Sequence, residues 1–376
     1  MGIKYLIAAA TIALSATSGA AQAQEGVTEN TVRIGQTLGI TGTAAGQVKE
    51  MIEGANAYIS TVNKQGGVHG RKIELITLND KFDPAITKTN AENLIKKEHV
   101  FALFQGRGTP HVQGLLPVLS ANKVPLVAPA TGASIFHTPM HNWLFNVRAN
   151  YHVEIKTIVQ HLSLMGHKRI SVLHVDDAFG KDGLEGFEKA MGDVDMKPAS
   201  ITSFARTNPD NAAAAAAVIK ADPSALIILN SSENVVGVIK EIKKQGGNMQ
   251  LATLSNNSSE SFIKDLGPDG AGVIVTQVTP APSSSTQMGR DFLNAAKEHN
   301  VTISYAAMEG FMNAKVLVEG LKRSGRNLTR EGFVKAMESI KGVDFGGVII
   351  SYGPTDRTGS EFVDLTMIGR SGKFIR

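Results

Sequence analysis

Along most of the chain, short apolar runs alternate with longer stretches whose apolar residues recur at helical spacing. Met51, Ala55 and Ile59, for example, predict a helix over 46–62. The predicted strands cover 32–35, 73–78, 100–104, 124–128, 170–175, 225–229 and 272–275. The predicted helices cover 46–62, 85–97, 153–165, 182–191, 211–220, 232–245, 290–299, 305–321 and 329–340. This alternation is typical of an α/β protein with parallel sheets covered by helices on both faces.

The alternation runs twice, over about 30–145 and about 150–276, and it therefore predicts two doubly wound α/β lobes. At 376 residues, the chain exceeds the roughly 250–300 residues of a single core. The last third is too short for a third domain, and its β-rich tail covers 348–368. We therefore assign 24–146 with 279–345 to lobe 1 and 147–278 with 346–376 to lobe 2.

Residues 1–23 have the pattern of a cleaved export signal. Lys4 precedes an apolar run over 5–16, and Ala21, Gln22 and Ala23 supply a small-x-small cleavage site. A bilayer-spanning helix needs about 20 apolar residues, so this run is too short for an anchor. We expect a mature, exported chain that begins at Gln24.

Composition and motifs argue against several functional classes. The sequence contains no cysteine, which excludes thiolate nucleophiles, Cys-ligated zinc and iron–sulfur clusters. The formal net charge is +4, but Lys and Arg are dispersed, so nucleic-acid binding is not expected. The chain has no His-Glu-x-x-His pair, no Gly-x-Ser-x-Gly elbow and no Walker loop. We predict no catalytic residue, no cofactor and no metal site, and hence a protein that is not an enzyme.

Three turns that follow predicted strands are candidate ligand sites, because doubly wound sheets bind ligands beyond the carboxyl ends of their strands. In the turn over 105–110, Arg107 and Thr109 at a helix opening suit a carboxylate, although Thr109 as a simple helix cap is an equally good local interpretation. The turn over 128–134 offers backbone N–H groups and the Thr131 hydroxyl, again with an ordinary capped turn as the alternative. In the third turn, Phe179 follows the strand over 170–175. Its ring is either an apolar wall over a ligand or an ordinary packing residue.

The order and spacing of several short motifs resemble the leucine/isoleucine/valine-binding protein family, the type I periplasmic binding proteins of branched-chain and hydrophobic amino-acid ABC importers. The motifs that carry the resemblance are Ile34-Gly35, Thr41-Gly42-Thr43-Ala44, Gly54-Ala55, the segment over 65–72, Asp80 with Asp83-Pro84, the Thr109 turn, Ala128-Pro129-Ala130-Thr131, the segment over 145–148 and Ala178-Phe179-Gly180. The resemblance covers essentially the whole mature chain. It implies two α/β lobes joined by three crossover segments that close on a ligand in the cleft.

The resemblance also implies positions for the ligand contacts. The carboxylate seat of the family matches Thr109 in the first turn and Ala130, Thr131 and Gly132 in the second. An aromatic side chain of the second lobe matches Phe179, where the family often has tyrosine. Arg107 would add a charged bond to the carboxylate.

Three positions depart from the family pattern. Ser255, followed by Asn256, stands where amino-acid binders place an acidic residue for the ligand ammonium. Ser231 replaces an expected aromatic residue, and Gln47 stands where some members have tryptophan. Because a buried ammonium without a carboxylate partner is costly, we hypothesise an organic acid, aromatic or keto, rather than an α-amino acid.

Two acids, Glu233 and Asp177, are candidates to replace the missing partner of an ammonium, so an amino-acid ligand stays an alternative. The resemblance implies a periplasmic, monomeric protein that delivers a small amino acid or organic carboxylate to an ABC permease of the inner membrane. A periplasmic ligand sensor with the same fold is the alternative function. An exported hydrolase is a third class, for which the motifs offer no support.

Overall fold

A computed structural model describes residues 24–376, so the predicted export signal lies outside the described residues. The first sheet is wholly parallel, with the strand order β2-β1-β3-β4-β5. Its elements are β1 (Thr31–Leu38), α1 (Ala45–Lys64), β2 (Lys72–Asn79), α2 (Pro84–Lys96), β3 (Ala102–Phe104), α3 (Thr109–Asn122), β4 (Leu126–Val127) and β5 (Leu144–Phe145). The order in which successive strands are added reverses between β1 and β3, as expected for a doubly wound sheet.

The second sheet repeats the same order and adds two antiparallel strands at one edge. Its elements are α4 (Tyr151–Leu164), β6 (Ile170–Val175), α5 (Ala178–Asp193), β7 (Ile201–Phe204), α6 (Asn211–Lys220), β8 (Ala225–Leu229), α7 (Ser232–Lys244), β9 (Gln250–Thr253), α8 (Glu260–Leu266) and β10 (Ile274–Gln277). The parallel strands follow the order β7-β6-β8-β9-β10. The predicted two doubly wound lobes are confirmed.

The last third of the chain contributes to both lobes. Its elements are α9 (Gln287–His299), α10 (Tyr305–Arg323), α11 (Arg330–Glu338), β11 (Val343–Asp344), β12 (Ile349–Ile350), β13 (Asp364–Ile368) and β14 (Phe374–Ile375). Helices α9 and α10 pack on α1 of the first lobe, whereas β13 pairs with β10 of the second. The chain therefore passes between the lobes three times, after β5, after β10 and after β12.

The hairpin β11–β12 packs with the first lobe. Phe345, Val348 and Ile350 share a core with Val32 and Ile34 of β1. The sequence-based division assigns residues from 346 onward to lobe 2. From this packing, we propose that the third crossing begins after Tyr352, which belongs to the same core.

Among the ten parallel strands β1 to β10, the sequence pattern did not predict three. Strand β5 has only two residues, β7 carries the exposed Ile201 and polar neighbours, and β9 begins with a partly exposed glutamine. None has the long apolar run that predicts a buried strand. In the part of the chain that is described, no helix combines the length and apolar character needed to cross a membrane.

Helices α1 and α10 cross closely in the first lobe through a pair of glycines. A Cβ on Gly310 would lie 1.9 Å from the Met51 carbonyl oxygen, and a Cβ on Gly54 would lie 1.8 Å from the Ala307 carbonyl oxygen. Both carbonyls belong to the helix backbone rather than to flexible side chains. The two helices would therefore have to move apart to admit either Cβ.

We therefore expect Gly310→Ala to lower the free energy of unfolding by about 1–3 kcal/mol through overpacking, despite the better helix propensity of alanine. The matched control is Gly114→Ala in α3, where no described atom lies within 4 Å of the added Cβ. Urea denaturation should show the control at or above wild-type stability. Equal stability of the two variants would contradict the close helix crossing.

Candidate functional site

The carboxyl ends of strands from both sheets face one another across a small interlobe cavity. Its lining residues are Phe82, Arg107, Gly108, Thr109, His111, Ala130, Tyr151, Phe179, Arg206, Ser231 and Asn256. The turns after β2, β3 and β4 supply one wall, the turns after β6, β7, β8 and β9 supply the other, and Tyr151 at the start of α4 completes the lining. The cavity thus lies where doubly wound sheets bind ligands.

Six of the ten residues predicted from the sequence line this cavity: Arg107, Thr109, Ala130, Phe179, Ser231 and Asn256. The other four, Gln47, Thr131, Gly132 and Ser255, are buried near it but are not among the lining residues. The roles of all ten residues as ligand contacts stay predictions.

Gln47 of the first lobe and Ser255 of the second lie beside each other where the two lobes meet. The Gln47 Nε2 donates to the Ser255 carbonyl (3.4 Å) and to the Ser258 hydroxyl (3.1 Å), and its Oε1 accepts from the Ser258 N–H (3.2 Å). The Ser255 hydroxyl accepts from Arg148 Nη2 at 2.5 Å. These contacts join the lobes beside the cavity.

Thr131 and Gly132 support the first wall from behind. The Thr131 and Thr109 hydroxyl oxygens lie 2.9 Å apart, and the Gly132 carbonyl accepts from the Tyr151 N–H at 2.7 Å. Any Cβ at Gly132 would lie 2.8 Å from the Ala149 carbonyl oxygen. Both residues therefore position neighbours that face the cavity.

Glycines shape the turn that presents Arg107 and Thr109. Gly106 and Gly108 have φ values of 80° and 97°, in the region that favours glycine. Gly108, rather than Thr109, occupies the N-cap of α3. Thr109 begins the helix instead, and its hydroxyl bonds to Thr131. The expectation of Thr109 as the cap is thus wrong by one position, because the left-handed glycine ends the turn.

Arg107 is a buried guanidinium that the structure leaves without an acidic partner. Its side chain is only 3% exposed, and its Nη2 donates to the Asn256 carbonyl of the other lobe at 2.9 Å. Within residues 24–376, its Nε has no hydrogen-bond partner, and no carboxylate forms an ion pair with it. Burial lowers the pKa of Arg107 to about 10, so it stays protonated at neutral pH. A buried charge in this state is costly unless an anion joins it.

Two nearby buried acids, Glu154 and Glu309, bond to Arg148 in the first crossover, although Glu309 Oε2 has no hydrogen-bond partner among the described residues. The Arg148 Nη2 lies 2.5 Å from Glu154 Oε1, and its Nη1 lies 3.5 Å from Glu309 Oε1. Burial raises the pKa of Glu309, although Arg148 and Arg107 oppose the shift. Neither acid lines the cavity.

His111 and Phe82 form an aromatic corner of the first lobe. Their rings stack with centroids 4.4 Å apart, at an interplanar angle of 27°. Among the described residues, neither ring nitrogen of His111 has a hydrogen-bond partner. Burial lowers the pKa of His111 to about 4, so the ring is neutral at neutral pH. It therefore adds polar atoms, but no charge, to the cavity.

Arg206 and Phe82 meet across the mouth of the cavity. The Arg206 guanidinium carbon lies 5.5 Å from the Phe82 ring centroid, a distance typical of a cation–π contact. Its Nε and Nη2 both lie 2.6 Å from Asp177 Oδ2. Tyr151 packs against Phe179 on the second lobe, with ring centroids 4.9 Å apart.

The structure thus has no acid facing a ligand ammonium among the described lining residues. Asp177 is bonded to Arg206, and Glu233 is exposed and contacts the other lobe through its backbone N–H. The sequence missed Phe82, His111, Tyr151 and Arg206 as lining residues. Only their tertiary positions reveal them, since none lies in a glycine-rich turn after a predicted strand.

Comparisons with known proteins agree with this fold. A family model described as periplasmic binding protein matches residues 31–372. The chain is 22% identical to Leu/Ile/Val-binding protein homolog 3 of Brucella melitensis, with 97% of each chain covered. It superposes on a substrate-binding periplasmic protein from Ralstonia solanacearum with a TM-score of 0.86 and 28% identity, over 92% of this chain and 99% of that one. A fatty acid ABC transporter substrate-binding protein from Thermomonospora curvata shares the fold, with a TM-score of 0.84 and 19% identity over 93% and 92% of the two chains.

The burial of His111 predicts a pH-dependent stability. The unfolded state binds a proton near the reference pKa of about 6.5, whereas the folded state resists protonation down to about 4. Stability should therefore be complete above pH 6.5 and should fall by up to about 3 kcal/mol as the pH decreases towards 4. Urea denaturation at pH 7 and 4.5 should show a smaller loss for His111→Gln than for wild type. Parallel losses would contradict the buried neutral ring.

Proposed function

We propose that this chain, which belongs to the periplasmic binding protein family in its leucine/isoleucine/valine-binding, type I form, captures a small organic carboxylate for an ABC importer. The observation that carries the proposal is Arg107, a buried cation beside a cavity whose described lining contains no acid. A ligand carboxylate supplies the missing negative charge, and Thr109 and His111 offer polar atoms beside it.

The aromatic lining supports an apolar body behind the carboxylate. Phe82 and His111 form one side, and Tyr151 and Phe179 form the other. Such rings bury an aliphatic or aromatic group with little loss of side-chain entropy. The ligand we propose is therefore an aromatic acid or a branched keto acid. An α-amino acid would place its ammonium among Arg107 and Arg206, without a carboxylate partner.

Closure of the two lobes provides the mechanism of capture. The Thr43 and Ser231 hydroxyls bond across the cleft at 3.0 Å, and Glu50 accepts from the N–H groups of Glu260 and Ser261 at 3.0 Å each. A ligand that touches both lobes only in this arrangement shifts the population towards it. The closed form then docks on a permease of the inner membrane. We propose a periplasmic, monomeric protein in this role.

Leucine and its keto acid, 4-methyl-2-oxopentanoate, provide a matched test because they share one carbon skeleton. Isothermal titration should show at least about 100-fold tighter binding of the keto acid, since an unpaired buried ammonium costs several kcal/mol. Benzoate against benzamide tests the need for a carboxylate in an aromatic ligand. Binding of leucine as tight as that of the keto acid would overturn the proposal.

Arg107→Gln should weaken carboxylate binding by about 10- to 100-fold, because a charged hydrogen bond contributes about 1.5–3 kcal/mol. The matched control is Arg290→Gln, an exposed arginine on α9 of the same lobe. Circular dichroism should confirm that both variants are folded before titration. Equal affinities of the two variants would contradict the proposal that Arg107 binds the ligand carboxylate.

A further inference from the structure

The cavity contains two guanidinium groups in different electrostatic states. Arg107 has no ion-pair partner among the described residues, whereas Arg206 places both Nε and Nη2 against Asp177 Oδ2 at 2.6 Å. The Arg206 and Asp177 side chains are only about one-fifth exposed, so water screens the pair less than it would at the surface. The positive charge of Arg206 is therefore largely neutralised before a ligand arrives.

Asp177 is held in place by a second task. Its Oδ1 accepts from the N–H groups of Phe179 (2.9 Å) and Gly180 (3.3 Å) and so caps α5. With Oδ1 at the helix and Oδ2 at Arg206, both carboxylate oxygens are engaged. The cap fixes the orientation of the carboxylate, and the carboxylate fixes Arg206 over the Phe82 ring.

We propose that Asp177 positions Arg206 and thereby determines which ligands the cavity selects. This inference rests on the proposed function. By holding Arg206, Asp177 leaves Arg107 as the unpaired cation of the cavity and selects ligands with one carboxylate over dicarboxylates.

The physical reason is the cost of a second ligand charge. A second carboxylate near the mouth either displaces Asp177 from Arg206, which leaves Asp177 unpaired, or remains unpaired itself beside a like charge. Both arrangements bury an uncompensated negative charge. A neutral apolar group at the same place instead packs on Phe82 and Phe179 without that cost.

The variant Asp177→Asn separates the role of the residue as the cap of α5 from its ion pair with Arg206. Asparagine and aspartate are about equally good N-caps, so the side-chain oxygen still accepts from the start of α5. The negative charge opposite Arg206 is lost. Arg206 then becomes a second free cation, and a dicarboxylate gains a partner that the wild-type protein withholds.

The test uses two matched pairs of probes in isothermal titration. The pairs are 4-methylbenzoate with terephthalate, and 4-methyl-2-oxopentanoate with 2-oxoglutarate. We expect the wild-type protein to prefer the monocarboxylate of each pair by at least about tenfold. In Asp177→Asn, the ratio of dicarboxylate to monocarboxylate affinity should rise by about 10- to 100-fold, the range expected for a newly available charged hydrogen bond.

Two further variants isolate the cause. Asp210→Asn removes a carboxylate that also caps a helix of the second lobe, α6, but is exposed and does not contact Arg206 among the described residues. It should leave the affinity ratio at the wild-type value. Arg206→Gln introduced into Asp177→Asn should abolish the gain, which a purely structural effect of residue 177 would not predict.

Equal wild-type affinities for the two members of each pair would overturn this inference, as would an unchanged ratio in Asp177→Asn. In both cases, binding of the monocarboxylates would leave the proposed function intact. If none of the four probes binds the wild-type protein, the proposed function fails, and this inference fails with it. Thermal melts of every variant should establish that each is folded.

Discussion

The burial of the Arg107 guanidinium between the lobes, without an acid opposite it, is the constraint on which the chemistry of the cleft depends. The glycine turn after β3 brings this residue inward, and the Asn256 carbonyl of the other lobe accepts one of its N–H groups. One carbonyl offsets only part of the cost of burying a charge. We therefore propose that the closed arrangement is most stable with an anion present, which would link ligand capture to lobe closure.

The surrounding acids bond to other groups and relieve this constraint only in part, through the charge of Glu309. Glu154 and Glu309 bond to Arg148, Asp177 bonds to Arg206, and Glu50 bonds to the start of α8. Each of these carboxylates thus has at least one donor of its own, although Glu309 Oε2 has none among the described residues. The second lobe therefore meets Arg107 with the Asn256 carbonyl rather than with an acid. The same fold serves different ligands in this family because such choices reside in the turns, whereas the cores determine only the scaffold.

Closure itself draws on contacts away from the cavity. Ser134 and Asp182 join the lobes on one side through the Ser134 N–H, at 2.8 Å, and Gln47 joins them on the other through Ser258. These hydrogen bonds are modest singly, at about 1 kcal/mol each. They bring the two walls of the cavity together, and under the proposed function a small ligand that contacts both walls contributes the decisive difference between the open and closed states.

The sequence by itself determined the two α/β lobes, most strands and the turns that present Arg107, Thr109 and Phe179, because apolar periodicity and glycine-rich strand ends are local signals. It also indicated the absence of an acid at Ser255. Only the tertiary structure decided that Phe82, His111, Tyr151 and Arg206 line the cavity, since residues from separate turns meet only when the lobes close. For the same reason Gln47 and Ser255, predicted as ligand contacts, lie against each other: closure places α1 on the turn after β9 and satisfies their polar groups there.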